Sequence, residues 1–110
     1  MQVEHERIAK TESLFRDVNE RIAEATERFD ESSAQFMCEC ADPECAERIE
    51  VPLAEYEKVR SDGTTFVLDA EHLEPEVERV VEKRRGYAIV KKLGAVGQMV
   101  KRLNPRTEPA

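Results

Sequence analysis

The sequence predicts an α+β fold, a long N-terminal helix packed on a small antiparallel sheet with a zinc knuckle. Three observations predict it. Apolar residues recur at helical spacing through the first part of the chain. Later segments alternate polar and apolar residues at period two. All three cysteines fall in one eight-residue stretch, Cys38 to Cys45.

The helix comes first. Ile8, Phe15, Val18, Ile22, Ala25 and Phe29 follow a heptad pattern, with Thr11 as its polar exception. Opposite charges four residues apart, Asp17–Arg21 and Glu24–Arg28, support a helix over residues 5–31. The apolar stripe is narrow. It suits packing across a sheet in the same domain, and it also suits pairing with a second copy, a homodimer through the N-terminal helix.

Beyond Ser32-Ser33 the pattern changes. Gln35-Phe36-Met37 leads into the cysteines, and Arg48-Ile49-Glu50-Val51-Pro52-Leu53 alternates as a half-buried strand does. Pro52 suits a helix start, Leu53, Tyr56 and Val59 continue at helical spacing, and Ser61-Asp62-Gly63 closes the segment. Thr64–Leu68 is β-prone, and residues 69–75 form the connection that carries His72. Glu76–Leu93 reads as a β-hairpin, with Val77, Val80 and Val81 leading to Lys83-Arg84-Arg85-Gly86 and Tyr87, Ile89 and Val90 returning. The domain is therefore expected over residues 1–93. Residues 94–110 read as a partly disordered C-terminal tail in which Gly97–Leu103 can form a helical turn.

At 110 residues the chain is one domain by size, and a metal staple is a plausible supplement to so small a core. No apolar run is long enough to cross a bilayer, which predicts no membrane contact. The polar, acidic N-terminus lacks the layout of a signal peptide, so a cytoplasmic location is expected. In a reducing compartment, clustered cysteines indicate metal or redox chemistry rather than disulfides.

The net charge of −7 is uneven. Residues 34–75 carry eleven acids against three bases, whereas residues 76–110 carry four acids against nine bases. The overall sign disfavours a general nucleic-acid binder. The basic third still permits local nucleic-acid contact through Lys83, Arg84, Arg85, Lys91, Lys92, Lys101 and Arg102.

The cysteine spacing, C-x-C-x4-C, can wrap a single ion, and the Asp42-Pro43 step favours the turn that brings Cys45 back toward Cys38 and Cys40. Zinc takes a fourth, near-tetrahedral ligand. Of the two histidines, His5 lies in the predicted helix and His72 in a turn after a strand, which makes His72 the expected ligand. One structural zinc per chain is predicted, held by Cys38, Cys40, Cys45 and His72. Glu39, Asp42, Glu44 and Glu71 are expected as acidic residues of the surface loops. No Ser/His/Asp set or Gly-rich phosphate loop occurs, so no catalytic residue is assigned and the chain is not expected to be an enzyme.

The segments Val18–Ile22, Cys38-Glu39-Cys40, Glu55–Arg60, His72 and Pro75–Glu82 together resemble a family of short uncharacterised actinobacterial proteins, over roughly residues 14–93. The resemblance implies that cysteines and histidine belong to one unit, and it implies no activity. Family members often carry Pro-Gly before the histidine, where this chain has Ala70-Glu71. The cysteine spacing is also similar to the zinc motif that follows methyltransferase SET domains, a likeness of zinc geometry without the SET core.

The functional expectation is a non-catalytic zinc protein that acts as a protein-interaction module, with an unidentified protein partner. The alternatives are a nucleic-acid contact through the basic hairpin and a zinc–thiolate redox sensor.

Overall fold

A computed structural model describes residues 2–106. Helix α1 spans Gln2–Arg28 and is followed by β1 (Ser33–Met37) and β2 (Arg48–Pro52). Then come α2 (Leu53–Arg60), β3 (Thr65–Leu68), a 3₁₀ turn (Ala70–His72), β4 (Glu78–Arg84), β5 (Tyr87–Lys92) and α3 (Gly94–Arg102). The α+β class and the antiparallel pairing are as predicted. Among the described residues no helix is long and apolar enough to cross a membrane.

Helix α1 stops where Asp30 adopts a left-handed φ of 59°, and Glu31 N–H reaches back to the Thr26 carbonyl at 2.9 Å. The chain then reverses into β1, which pairs antiparallel with β2 from Ser33↔Pro52 to Met37↔Arg48. Residues 38–47 are thus the long loop of a hairpin. The second sheet has the order β3-β5-β4, all antiparallel, with a bulge between Val80 and Glu82. Its β4–β5 hairpin turns at Gly86, whose φ of 88° glycine adopts without strain.

Both faces of this three-stranded sheet are covered, and the pleat divides its residues between them. Phe66, Leu68, Ala88 and Val90 pack with Ala9, Val96, Met99, Val100 and the thiols of Cys38 and Cys40. Val67, Tyr87 and Ile89 pack with Ala23, Phe36, Ile49, Val51, Tyr56 and Val59.

Two expectations are corrected. The domain does not end at residue 93, because Val96, Met99 and Val100 of α3 are buried in the core. Helix α3 lies so close to β5 that a Cβ on Gly97 would sit 2.8 Å from the Lys92 carbonyl oxygen. The last four positions of the predicted tail, 107–110, lie outside the described residues.

The second correction concerns the inner face of α1. The heptad stripe is split: Phe15 is buried, Ile8, Ile22 and Ala25 are half-buried, and Val18 and Phe29 are exposed. The face turned inward is instead Ala9, Glu12, Arg16, Asn19, Ala23 and Thr26, largely polar. Thr26 turns back onto the Ile22 carbonyl at 2.7 Å, whereas Glu12, Arg16 and Asn19 each meet a partner distant in sequence. The Arg16 guanidinium donates to the Gly63 and Val100 carbonyls at 2.8 Å each and lies over the Phe66 ring. Lys92, fully buried, bridges Glu12 at 2.6 Å and Glu78. Arg60, equally buried, binds Glu20 at 2.8 Å. Buried charges persist only when paired in this way.

The Glu12–Lys92–Glu78 triad has one more carboxylate than ammonium. Burial raises the Glu12 carboxyl from 4.5 to about 7, against the pull of Lys92. The folded chain therefore holds a proton that the unfolded chain has released above its lower pKa. This group's contribution to stability is complete below about pH 4.5 and is lost as pH rises through about 7. Glu12→Gln stays neutral throughout. Measured by urea unfolding at fixed free metal, the stability of wild type relative to Glu12→Gln should fall by on the order of 2 kcal/mol between about pH 5 and pH 8. A pH-independent difference would mean that Glu12 is ionised across the whole range.

Candidate metal centre

The hairpin loop between β1 and β2 supplies three of the four site residues. Cys38 and Cys40 directly follow β1, where the backbone is still extended and Cys38 N–H donates to the Glu47 carbonyl at 3.1 Å. Side chains two apart in extended chain point to the same side, so both thiols face the same way and Glu39 faces the other. Asp42 then builds the turn. Its carboxylate accepts from Glu44 N–H at 2.9 Å and its carbonyl from Cys45 N–H at 3.1 Å, which returns Cys45 to the first two thiols.

His72 arrives from the second sheet. Asp69 caps the 3₁₀ turn after β3 by accepting from Glu71 N–H at 2.8 Å, and His72 N–H closes onto the Asp69 carbonyl at 2.8 Å. The imidazole Nδ1 then stands 3.4 Å from Cys38 Sγ and 3.6 Å from Cys45 Sγ. All four ligand atoms lie within 4.8 Å of one another. These are the residues predicted from sequence, and together they can hold one metal ion. His5 sits near the start of α1 and is not part of the cluster.

The spacing suits a tetrahedral ion. Thiolate and imidazole ligands at about 2.3 and 2.0–2.1 Å from a common centre lie about 3.6 Å apart. Both sulfur–nitrogen distances match that value, and Nδ1 is the ring nitrogen that faces the thiols.

Each sulfur also receives a backbone amide. Asp69 N–H donates to Cys38 Sγ at 3.2 Å, Asp42 N–H to Cys40 and Glu47 N–H to Cys45. Such donors stabilise thiolate charge and orient the ligands. The two other thiols and the imidazole hydrogen-bond toward Cys40. The Cys38 thiol donates to it and brings its pKa down to about 5. The same hydrogen bond, with burial, pushes Cys38 up, and burial raises Cys45. His72 is raised by its hydrogen bond to Cys40. A divalent cation at the centre would take the place of these protons, with three thiolates and a neutral imidazole to hold it.

Sequence reasoning misplaced Glu39. It is not an acidic surface residue but fully buried, on the far side of the knuckle from the metal ligands. Its Oε1 accepts from Val67 N–H at 3.0 Å, and its Oε2 accepts from Asn19 Nδ2 and from the Tyr56 hydroxyl, both at 2.8 Å. Asn19 also clamps Met37, donating to its carbonyl at 2.9 Å and accepting from its N–H at 2.7 Å. Asn19 and Tyr56 were missed altogether. The signals available for them were an asparagine on the inward arc of a helix and a tyrosine at a core position, each needing a polar partner.

In comparisons with protein-family models, curated proteins and solved structures, the chain finds no match.

Cys38→Ser, Cys40→Ser, Cys45→Ser and His72→Ala should each weaken metal binding by on the order of 100-fold or more, beyond the usual loss from an outer-sphere change. His5→Ala should bind as wild type does. The check is competition with a chromophoric chelator at neutral pH. Retention of metal by His72→Ala together with its loss in His5→Ala would reassign the fourth ligand.

Proposed function

We propose that the chain is a non-catalytic zinc-binding protein that acts as a protein-interaction module. The observation that carries the metal part is the convergence of Cys38, Cys40, Cys45 and His72 within 4.8 Å. Three thiolates and an imidazole form the borderline-soft donor set that zinc prefers. Four protein ligands complete the tetrahedron and leave no position for a reactive water, which favours a structural ion over a catalytic one. The zinc then ties the β1–β2 loop to the end of β3.

The outer face of α1 supports the interaction part. Leu14 is 63% exposed and Val18 40%, and Phe29, directly after the last residue of α1, is 71% exposed. Apolar side chains on one solvent-facing helix surface suit a protein partner, and a second copy of the chain is one such partner.

The nucleic-acid reading loses at least three of its bases to pairing inside the chain, among them Lys91, which stands 3.7 Å from the Asp62 carboxylate. Lys92 is buried between Glu12 and Glu78, and Arg84 is held by Glu55 and Glu82. The redox reading has one observation in its favour. Cys45 is only half-buried, and Cys40 and His72 line an open cleft of about 210 Å³, so an oxidant has a route to the thiolates.

Native mass spectrometry of protein purified without chelator should show one zinc per chain. A folded protein that takes up none at micromolar free zinc would overturn the metal reading. In salt titrations against mixed single- and double-stranded oligonucleotides, binding near physiological salt should be micromolar or weaker and unaffected by Lys83→Glu/Arg85→Glu. Submicromolar binding that the double change abolishes would transfer the assignment to nucleic acid.

A further inference from the structure

Glu39 stands between two metal ligands in sequence and between two helices in space. Its backbone is fixed to β3, donating from its own N–H to the Val67 carbonyl at 2.9 Å while its carboxylate accepts from Val67 N–H. Its other oxygen is held by Asn19 of α1 and Tyr56 of α2. The Tyr56 ring is in turn stacked on Phe36 of β1, with centroids 4.2 Å apart. A rotation of residue 39 in this extended stretch must swing Cys38 and Cys40 with it, because the three side chains alternate about one backbone.

We propose that Glu39 is a positioning residue of the metal centre, and that through it metal binding and the seating of α1 and α2 strengthen one another. The proposal rests on the zinc reading above and deepens it. Zinc draws the Cys38 and Cys40 sulfurs to one side of the loop, which holds the Glu39 carboxylate against Asn19 and Tyr56. In the other direction, Asn19 and Tyr56 hold the carboxylate and thereby present two thiolates at the spacing the ion requires. Such coupling is reciprocal by thermodynamic necessity. Outer partners of a metal site commonly contribute 10–100-fold in metal affinity.

The chain offers a matched control. It contains two tyrosines and no tryptophan, and each tyrosine hydroxyl donates to a carboxylate, Tyr56 to Glu39 and Tyr87 to Glu55. Tyr56→Phe keeps the ring stacked on Phe36 and deletes only the link to Glu39. Tyr87→Phe deletes a similar bond that does not touch Glu39.

By zinc competition with a chromophoric chelator, Tyr56→Phe should bind about tenfold more weakly than wild type, and Tyr87→Phe should bind as wild type does. Tyr87→Phe also leaves Tyr56 as the sole emitter, so stripping its zinc with excess chelator should change tyrosine fluorescence. Glu39→Gln, which sets an amide where both oxygens accept, should weaken zinc binding at least as much as Tyr56→Phe. Unchanged affinity in Tyr56→Phe, or Tyr56 emission indifferent to the departure of zinc, would overturn the coupling while leaving the metal site in place. A wild-type chain that binds no zinc would instead overturn the metal reading on which the coupling rests.

Discussion

A charge sealed inside a protein must be given partners in place of water, and this constraint organises the whole chain. Helix α1 turns Glu12, Arg16 and Asn19 inward, and elements from well beyond it in the sequence arrive with something to receive them. Strand β5 brings Lys92 and β4 brings Glu78. The turn before β3 and the last part of α3 offer carbonyls to Arg16, and the knuckle offers Glu39 to Asn19. Removing one member of such a set strands another, at a cost of several kcal/mol where the group left behind is charged. Specificity follows from the same arrangement. An apolar face can slide by a turn, whereas a guanidinium bonded to two particular carbonyls defines a single register.

The candidate metal site was legible from sequence because ligation by thiolates and imidazole is a largely local problem with a strict donor chemistry. Three cysteines in eight residues and one histidine in a turn left few alternatives, and the Asp42-Pro43 turn could be read from residue type alone. Strands β2 to β5 were legible for a similar reason, whereas the segment of β1 reads from sequence only as a short apolar lead into the cysteines. Alternation in Arg48–Pro52 and a glycine turn before Tyr87 act over short range, and both elements fall where they were expected.

The inner face of α1 was not legible, and the reason is physical. Hydrophobic periodicity assumes that the buried side is apolar, but here the burial of Glu12 and Arg16 is made possible by partners 47 to 84 residues away. Nothing in residues 2–28 reports those partners. The pattern therefore assigned Val18 and Phe29 to the inside, where the structure has Arg16 and Asn19. Helix α3 was legible only in part, as a helical turn over Gly97–Leu103 in an otherwise loose tail. Two glycines in Gly94–Arg102 argue against a helix by propensity, yet Gly97 is what lets that helix approach the Lys92 carbonyl. In this segment tertiary packing overrides local preference.

These features bear on why so small a domain would use a metal. The core spends much of its interior on paired ions, which specify geometry well and add less net stability than apolar packing of equal volume. The remaining apolar residues form two layers on either side of a three-stranded sheet whose β3 is only four residues long. The knuckle is a ten-residue loop whose first residues, Cys38 to Cys40, are buried in that core, while Asp42, Pro43 and Glu44 at its tip are exposed. Joining Cys38 to His72 closes a span of 34 residues and fixes the loop against the exit of β3. The ion would thus act where the chain leaves the core for the exposed tip of the loop. Glu39 carries the benefit inward, to the same polar face of α1 that the rest of the fold is built to satisfy.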